Sequence, residues 1–247
     1  VPITTSPLII AHRGNSSVAP ENTLPAFESA ALGGSDLIEI DVQVSEDGVG
    51  IVIHDDTVDR TTDGSGPVAA LRAAEVRHLD AGSWFAPAYS GTALPLFADV
   101  VEVLLRHRGL GLLLELKGAW PAEPTKLLLA EVTEAGIDDR VLVQGFSVEM
   151  LRTLQAVAPQ LRRGLLISEF DDATLELAAE LGVVALNPPA TLILERPEVL
   201  ARIHEAGLEA HVWTPNTAAE WAPLVDAGVD GIITDRPDRL TGWLAGR

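Results

Sequence analysis

The chain has 247 residues, no cysteine and a formal charge of -19, from 36 acidic side chains against 17 Lys plus Arg. That length suits one large α/β domain or two small ones, and the missing Cys excludes disulfides and thiolate chemistry. The charge disfavours nucleic acid or an anionic membrane as partner, and no apolar run reaches the roughly 18 residues a membrane span requires.

Residues 1–6 carry neither the basic nor the apolar segment of a leader, so a cytoplasmic location is expected, or a periplasmic or secreted one if a leader has been removed. A short apolar run, 8–11, reads as a strand and ends in His12-Arg13-Gly14. Thr23 or Asn22 can cap a helix over 24–32, with Pro25 in its first turn. The stretch 36–44 alternates: Ile38, Ile40, Val42 and Val44 share one face, and Leu37, Glu39, Asp41 and Gln43 the other. A strand inside a parallel sheet is apolar on both faces, so paired carboxylates there require compensation, most simply by a divalent cation. An edge strand with one wet face is the alternative. A turn at 45–48 then returns a second strand, 50–53, ending at His54.

From 59 to 95 the periodicity fails, and turn residues surround Trp84, Phe85 and Tyr89. Beyond it helices and strands alternate. Helices are predicted over 97–107, 123–135, 148–157 (capped by Ser147), up to 181 (capped by Asp171 or Asp172), 197–206 and 217–227. Strands are predicted over 111–117, 141–143, 163–167, 183–186, 208–213 and 229–233. Eight parallel-type strands, the first seven each followed by a helix, predict a TIM (β/α)8 barrel. It would form a single domain over 1–247, with an insertion over approximately 55–95 after the second strand. A doubly wound open sheet is the alternative, without its Gly-rich fingerprint.

A barrel carries its active site at the strand C-terminal ends, where His12, Glu39, Asp41, Glu115, Lys117 and Trp213 fall. On the strand over 111–117, Leu112, Leu114 and Leu116 face the helices, which turns Leu113, Glu115 and Lys117 inward. Glu39, Asp41 and Glu115 would then be hard oxygen ligands that favour Mg2+ or Ca2+, with Mn2+ as a third option, over structural Zn2+. His12 and His54 reach the same rim and suit acid/base work, or are strand-end histidines bonded to backbone. Arg13 and Lys117 are the nearest cations for a phosphoryl group, although Lys117 also suits neutralisation of Glu115. Gly14 would let backbone approach the rim, or serve as an ordinary loop glycine. Trp84, Phe85 and Trp213 would wall the pocket or pack the insertion; His211 would be wall or core; His78, His107 and His204 would be solvated.

Several of these segments occur in a familiar order. His12-Arg13-Gly14, Pro20-Glu21-Asn22-Thr23, Glu39-Ile40-Asp41-Val42, the Asp47-Gly48 turn and His54-Asp55 with Thr57, Asp59, Arg60 and Thr61 resemble the glycerophosphodiester phosphodiesterase family. The resemblance resumes at Glu115-Leu116-Lys117, Gln144-Gly145-Phe146-Ser147, Val212-Trp213-Thr214 with Asn216, and Asp230-Gly231-Ile232-Ile233-Thr234-Asp235 with Pro237. It implies a TIM barrel with an insertion after the second strand, one divalent cation on Glu39, Asp41 and Glu115, and His12 and His54 as the acid/base pair. Arg13 and Lys117 would contact phosphate, Glu21 would face the pocket and Asn22 would shape its loop. Gly145 stands where the family usually has Ser, and Pro215 where an apolar residue usually follows Trp-Thr; both bear on substrate preference.

The expected reaction is hydrolysis of a small-molecule glycerophosphodiester to sn-glycerol 3-phosphate and an alcohol, through attack of the glycerol C2 hydroxyl and a cyclic phosphate. The rivals are a phospholipase D-like enzyme acting on lysophospholipid or sphingomyelin, and a non-catalytic barrel that binds a polyol phosphate.

Overall fold

The computed structural model describes residues 6–247, so most of the segment behind the leader expectation lies outside the described residues. The first part of the chain forms β1 (Leu8–Ala11), α1 (Leu24–Leu32), β2 (Leu37–Val44), β3 (Gly50–Val52), a short α2 (Ala73–Val76) and α3 (Phe97–Arg106). Then follow β4 (Gly111–Leu116), α4 (Ala122–Glu134), β5 (Val141–Gly145), α5 (Val148–Val157), β6 (Arg162–Leu166) and α6 (Asp172–Leu181). The last part contains β7 (Ala185–Asn187), α7 (Ala190–Glu195), α8 (Glu198–Glu205), β8 (Glu209–Trp213), α9 (Ala218–Ala227), β9 (Gly231–Thr234) and α10 (Pro237–Ala245).

All of these strands except β3 pair in parallel around a closed ring, because β1 bonds both β9 and β2. The fold is therefore a TIM barrel, and the closure excludes the open sheet. β3 lies antiparallel on β2, with Val42 opposite Val52 and Val44 opposite Gly50, and this hairpin carries the chain to His54. β2 is no edge: it sits between β1 and β4, in a register that sets Glu39 opposite Leu113 and Asp41 opposite Glu115.

The period-two alternation separates two cores. Ile38, Ile40, Val42, Leu112, Leu114 and Leu116 face outward into the layer beneath the helices, among Phe27, Phe97 and Leu104. Ile10, Leu113, Leu142, Ala185 and Ile233 point inward and fill the cylinder. The insertion adds a third cluster, in which Ile51 and Ile53 pack against Val58, Val68, Val76 and Leu94.

Three strands begin later than their apolar runs predict, for one shared reason. Val183, Leu208 and Val229 each follow a glycine of positive φ and donate their N–H back to Ala178, Ile203 and Leu224. Each is thus consumed in closing the preceding helix, and the ladder starts one or two residues on. Three helices were absent from the sequence expectation, among them the single turn of α2 inside the insertion. α7 is a short helix between Pro189 and Pro197, and α10 follows β9 with Pro237 in its first turn and packs on β1, so the eighth strand has its helix too. Ser147 and Asp171 do cap α5 and α6, by accepting from Met150 and Thr174 N–H. Thr23, in the cap position of α1, instead donates its hydroxyl to Pro20 O and caps nothing.

Gly14 has φ +83°, and a Cβ there would lie 2.7 Å from the backbone carbon and Cβ of Ala26. The glycine is required by the close approach of α1 to the first loop. Gly14→Ala is expected to destabilise the fold by about 2 to 3 kcal/mol, read as a lowered urea midpoint.

Candidate active site

Glu39, Asp41 and Glu115 leave their strands on the inner face at the C-terminal mouth, and they are 1%, 1% and 8% exposed. One carboxylate oxygen of each lies within 4.8 Å of the other two. Burial and mutual repulsion push Glu39 well above the ordinary carboxylate range, and Glu115 is raised the same way. Asp41 is held low: burial opposes its ionisation, but Arg13, Lys117 and the two histidines outweigh that cost. Fully ionised, the group would carry more negative charge than its neighbours compensate. Converging hard oxygens of this kind fit a divalent cation, and these three residues could hold one.

The loop after β1 is folded around these carboxylates. Arg13 adopts φ +56° and donates its backbone N–H to Glu39 Oε2 at 3.0 Å, while its Nε lies 3.1 Å from Asp41 Oδ2. Asn22, also at positive φ, donates its side-chain amide to Asp41 Oδ2 at 2.9 Å and accepts from the Asp41 N–H at 3.3 Å. Asn22 thus orients a candidate ligand directly, beyond shaping its loop. Lys117 Nζ donates to Glu115 Oε1 at 2.8 Å and lies 3.5 Å from Asp41 Oδ1. Glu21 accepts from Arg13 and from both terminal nitrogens of Arg60, which hold it below the usual carboxylate value although burial opposes them.

His12 and His54 face the same cavity, each tied through Nδ1 to a carboxylate, but the two carboxylates differ. His12 Nδ1 lies 2.6 Å from Asp235 Oδ1, and Asp235 is otherwise bonded by the neutral groups of Asn216 and Ser16. His54 Nδ1 lies 2.7 Å from Asp55 Oδ1, and Asp55 also accepts from Arg60, which holds it well below the ordinary range. In both rings the nitrogen left for proton transfer is Nε2.

The cavity measures about 210 Å³. Its charged side holds His12, Arg13, Glu39, His54, Glu115 and Lys117, and its apolar side Phe146, Leu166, Trp213 and Ile233. Trp213 meets Phe146 edge-on at 6.1 Å and donates its indole N–H to Asn187 O, so its ring is held at both ends. Gln144 and Asn187 bond one another at the rim. A Cβ at Gly145 would overlap the terminal methyl of Met150 in α5 and lie 3.2 Å from Leu116 O, so a side chain there requires Met150 to shift.

Other sequence candidates lie elsewhere. Phe85 stacks edge-on with Trp84 and Tyr89 in the insertion and does not line the cavity; the Tyr89 hydroxyl ties this cluster to Val18 O in the first loop. His211 is buried inside the barrel, below the cavity lining, with Nε2 3.3 Å from Glu209. His107 and His204 pair with Glu28 and Asp230. Asp235, Asn216, Asp55 and Arg60 received no role from sequence reasoning. All four lie in the segments that carry the family resemblance, but only Asp55 adjoins the ring it holds, while Asp235 stands 223 residues from His12.

Fold and site together define a barrel enzyme whose mouth combines a cation-competent carboxylate cluster with two carboxylate-anchored imidazoles. The glycerophosphoryl diester phosphodiesterase family matches residues 12–239. A glycerophosphodiester phosphodiesterase of Caldanaerobacter subterraneus subsp. tengcongensis is 36% identical, covering 94% of this chain and 96% of its own. A glycerophosphodiester phosphodiesterase structure from Agrobacterium tumefaciens superposes with a TM-score of 0.82 at 34% identity, over 95% of this chain and 98% of that one. An Oleispira antarctica phosphodiesterase in complex with the product sn-glycerol-3-phosphate gives 0.87 at 30% identity, over 97% of both chains. The chain belongs to the glycerophosphoryl diester phosphodiesterase family, and it is a phosphoric diester hydrolase.

Proposed function

We propose that this enzyme hydrolyses glycerophosphodiesters to sn-glycerol 3-phosphate and an alcohol, with one divalent cation, Mg2+ or Ca2+, at Glu39, Asp41 and Glu115. The observation that carries the reading is the convergence of those three oxygens within 4.8 Å beside two imidazoles anchored through Nδ1. When bound, such an ion offsets phosphodiester charge and acidifies a hydroxyl or water beside it. Arg13 and Lys117 bind the phosphoryl oxygens, and Glu21 holds Arg13 in place. The apolar side, Trp213 and Phe146 above all, receives the carbon skeleton of the glycerol and limits water there. One imidazole takes the proton of the glycerol C2 hydroxyl as it attacks phosphorus, and the other protonates the departing alcohol. Water then opens the cyclic phosphate with the imidazoles in exchanged roles.

The test is release of sn-glycerol 3-phosphate from a panel of diesters, after chelation and after adding back Mg2+, Ca2+, Mn2+ or Zn2+. Loss on chelation and recovery with Mg2+ or Ca2+ is expected. Choline release from lysophosphatidylcholine in place of glycerophosphocholine would favour the phospholipase D-like reading, and no turnover of any diester would return the barrel to a binding role.

Asp235 positions His12 through Nδ1. Asp235→Asn is expected to lower kcat at least about tenfold while KM changes little, because the amide can present the wrong group to Nδ1. Steady-state kinetics at saturating metal separate the two parameters.

A further inference from the structure

A second cavity, of about 420 Å³, opens beside the first between the loop after β1 and the turn from β9 into α10. His12 and Arg13 line both. The remainder of its wall is polar throughout: Ser16, Ser17, Glu21, Asn216, Asp235 and Arg236. Resting on the hydrolysis proposed above, we infer that this cavity receives the leaving alcohol, and that Arg236 there selects an alcohol bearing a carboxylate over one bearing only a quaternary ammonium or an amine.

The first half follows from the geometry of phosphoryl transfer. The attacking and leaving oxygens lie roughly in line on opposite sides of phosphorus. With phosphorus held near the groups common to both cavities, a glycerol lodged against Trp213 and Phe146 directs the opposite substituent into the larger, polar space. His12 stands between the two and reaches the departing oxygen.

The second half follows from which charges are already satisfied. No aromatic side chain lines this cavity, so it lacks the ring faces that recognise a quaternary ammonium. Its two carboxylates are engaged, Glu21 by Arg13 and Arg60, and Asp235 by His12, Asn216 and Ser16. Arg236 is half-buried, and among the described residues its side chain makes no hydrogen bond or ion pair. A guanidinium offers five N–H donors and no acceptor. The surplus in this cavity is thus donor capacity and positive charge, which a carboxylate on the alcohol would match in a two-pronged contact.

Glycerophosphoserine and glycerophosphoethanolamine differ only by that carboxylate, so their relative kcat/KM isolates it; glycerophosphocholine serves as the ammonium reference. The wild-type enzyme is expected to favour the serine diester over both. Arg236→Gln should lower the serine-to-ethanolamine ratio about tenfold, and Arg236→Lys should keep most of it. The free side chain means that both variants should unfold at the wild-type temperature. An equal loss on all three diesters would show Arg236 acting on the shared phosphate, and an unchanged ratio would show that it acts on none of the alcohols; either result overturns the inference and leaves the proposed hydrolysis standing. Absence of sn-glycerol 3-phosphate from every diester with the wild-type enzyme would instead remove the hydrolysis itself, and the inference with it.

Discussion

Replacing His12 or His54 by Ala is expected to lower kcat at least about a hundredfold while leaving the cation in place. The separation of effects follows from where the rings sit. Neither imidazole belongs to the cluster of Glu39, Asp41 and Glu115, and each is anchored by its own carboxylate, Asp235 or Asp55. The double variant should fall little below either single one, because the proposed reaction needs one ring to take a proton and the other to give one. Metal binding measured by titration calorimetry should match the wild type in all three. Near-wild-type rates in both single variants would dismiss the acid/base assignment.

Glu39→Gln or Glu115→Gln is expected to weaken cation binding about a hundredfold or more, with activity recovered only in part by added metal. Glu39 also predicts a less obvious outcome. Its carboxyl is held well above the ordinary value of 4.5 by burial and by Asp41 and Glu115. Below the unfolded value the proton is bound in both states and the group is neutral to stability. As pH rises above that value, the unfolded chain releases the proton more readily than the folded one, so the stability this group subtracts grows until its folded pKa is passed and stays constant above it. Metal-free Glu39→Gln should therefore unfold at a higher temperature than metal-free wild type near pH 8, and the order should reverse when the cation is added. The same proton competes with the ion, so wild-type affinity should fall as the solution is acidified. Thermal melts with and without chelator test both statements.

The barrel was legible because two signals agree along most of the chain. Apolar alternation marks β2 and β4, and a glycine follows α4, α6, α8 and α9 where the chain turns back to the sheet. The carboxylates stood out for a physical reason: Glu39, Asp41 and Glu115 occupy inward positions that Ile10, Leu113 and Leu142 show to be otherwise apolar. Less legible were features that depend on tertiary approach. The apolar residues after Gly182, Gly207 and Gly228 look like strand starts and instead close helices. Phe85 has a composition suited to a pocket wall, yet its neighbours Trp84 and Tyr89 absorb its ring. Asp235 and Asn216 carry no local pattern that reveals His12 as their partner, since barrel closure between β1 and β9 alone brings them together.

The cavity also divides unevenly along the chain. Its charged side, from His12 to Lys117, comes entirely from the first half, and its apolar side, from Phe146 to Ile233, from the second. Evolutionary drift in the later strands and loops, outside Asp235 and Asn216 that hold His12, can therefore retune which molecules are admitted without disturbing the groups proposed to carry out bond cleavage. A barrel partitioned in this way can diversify in diet while its chemistry stays the same.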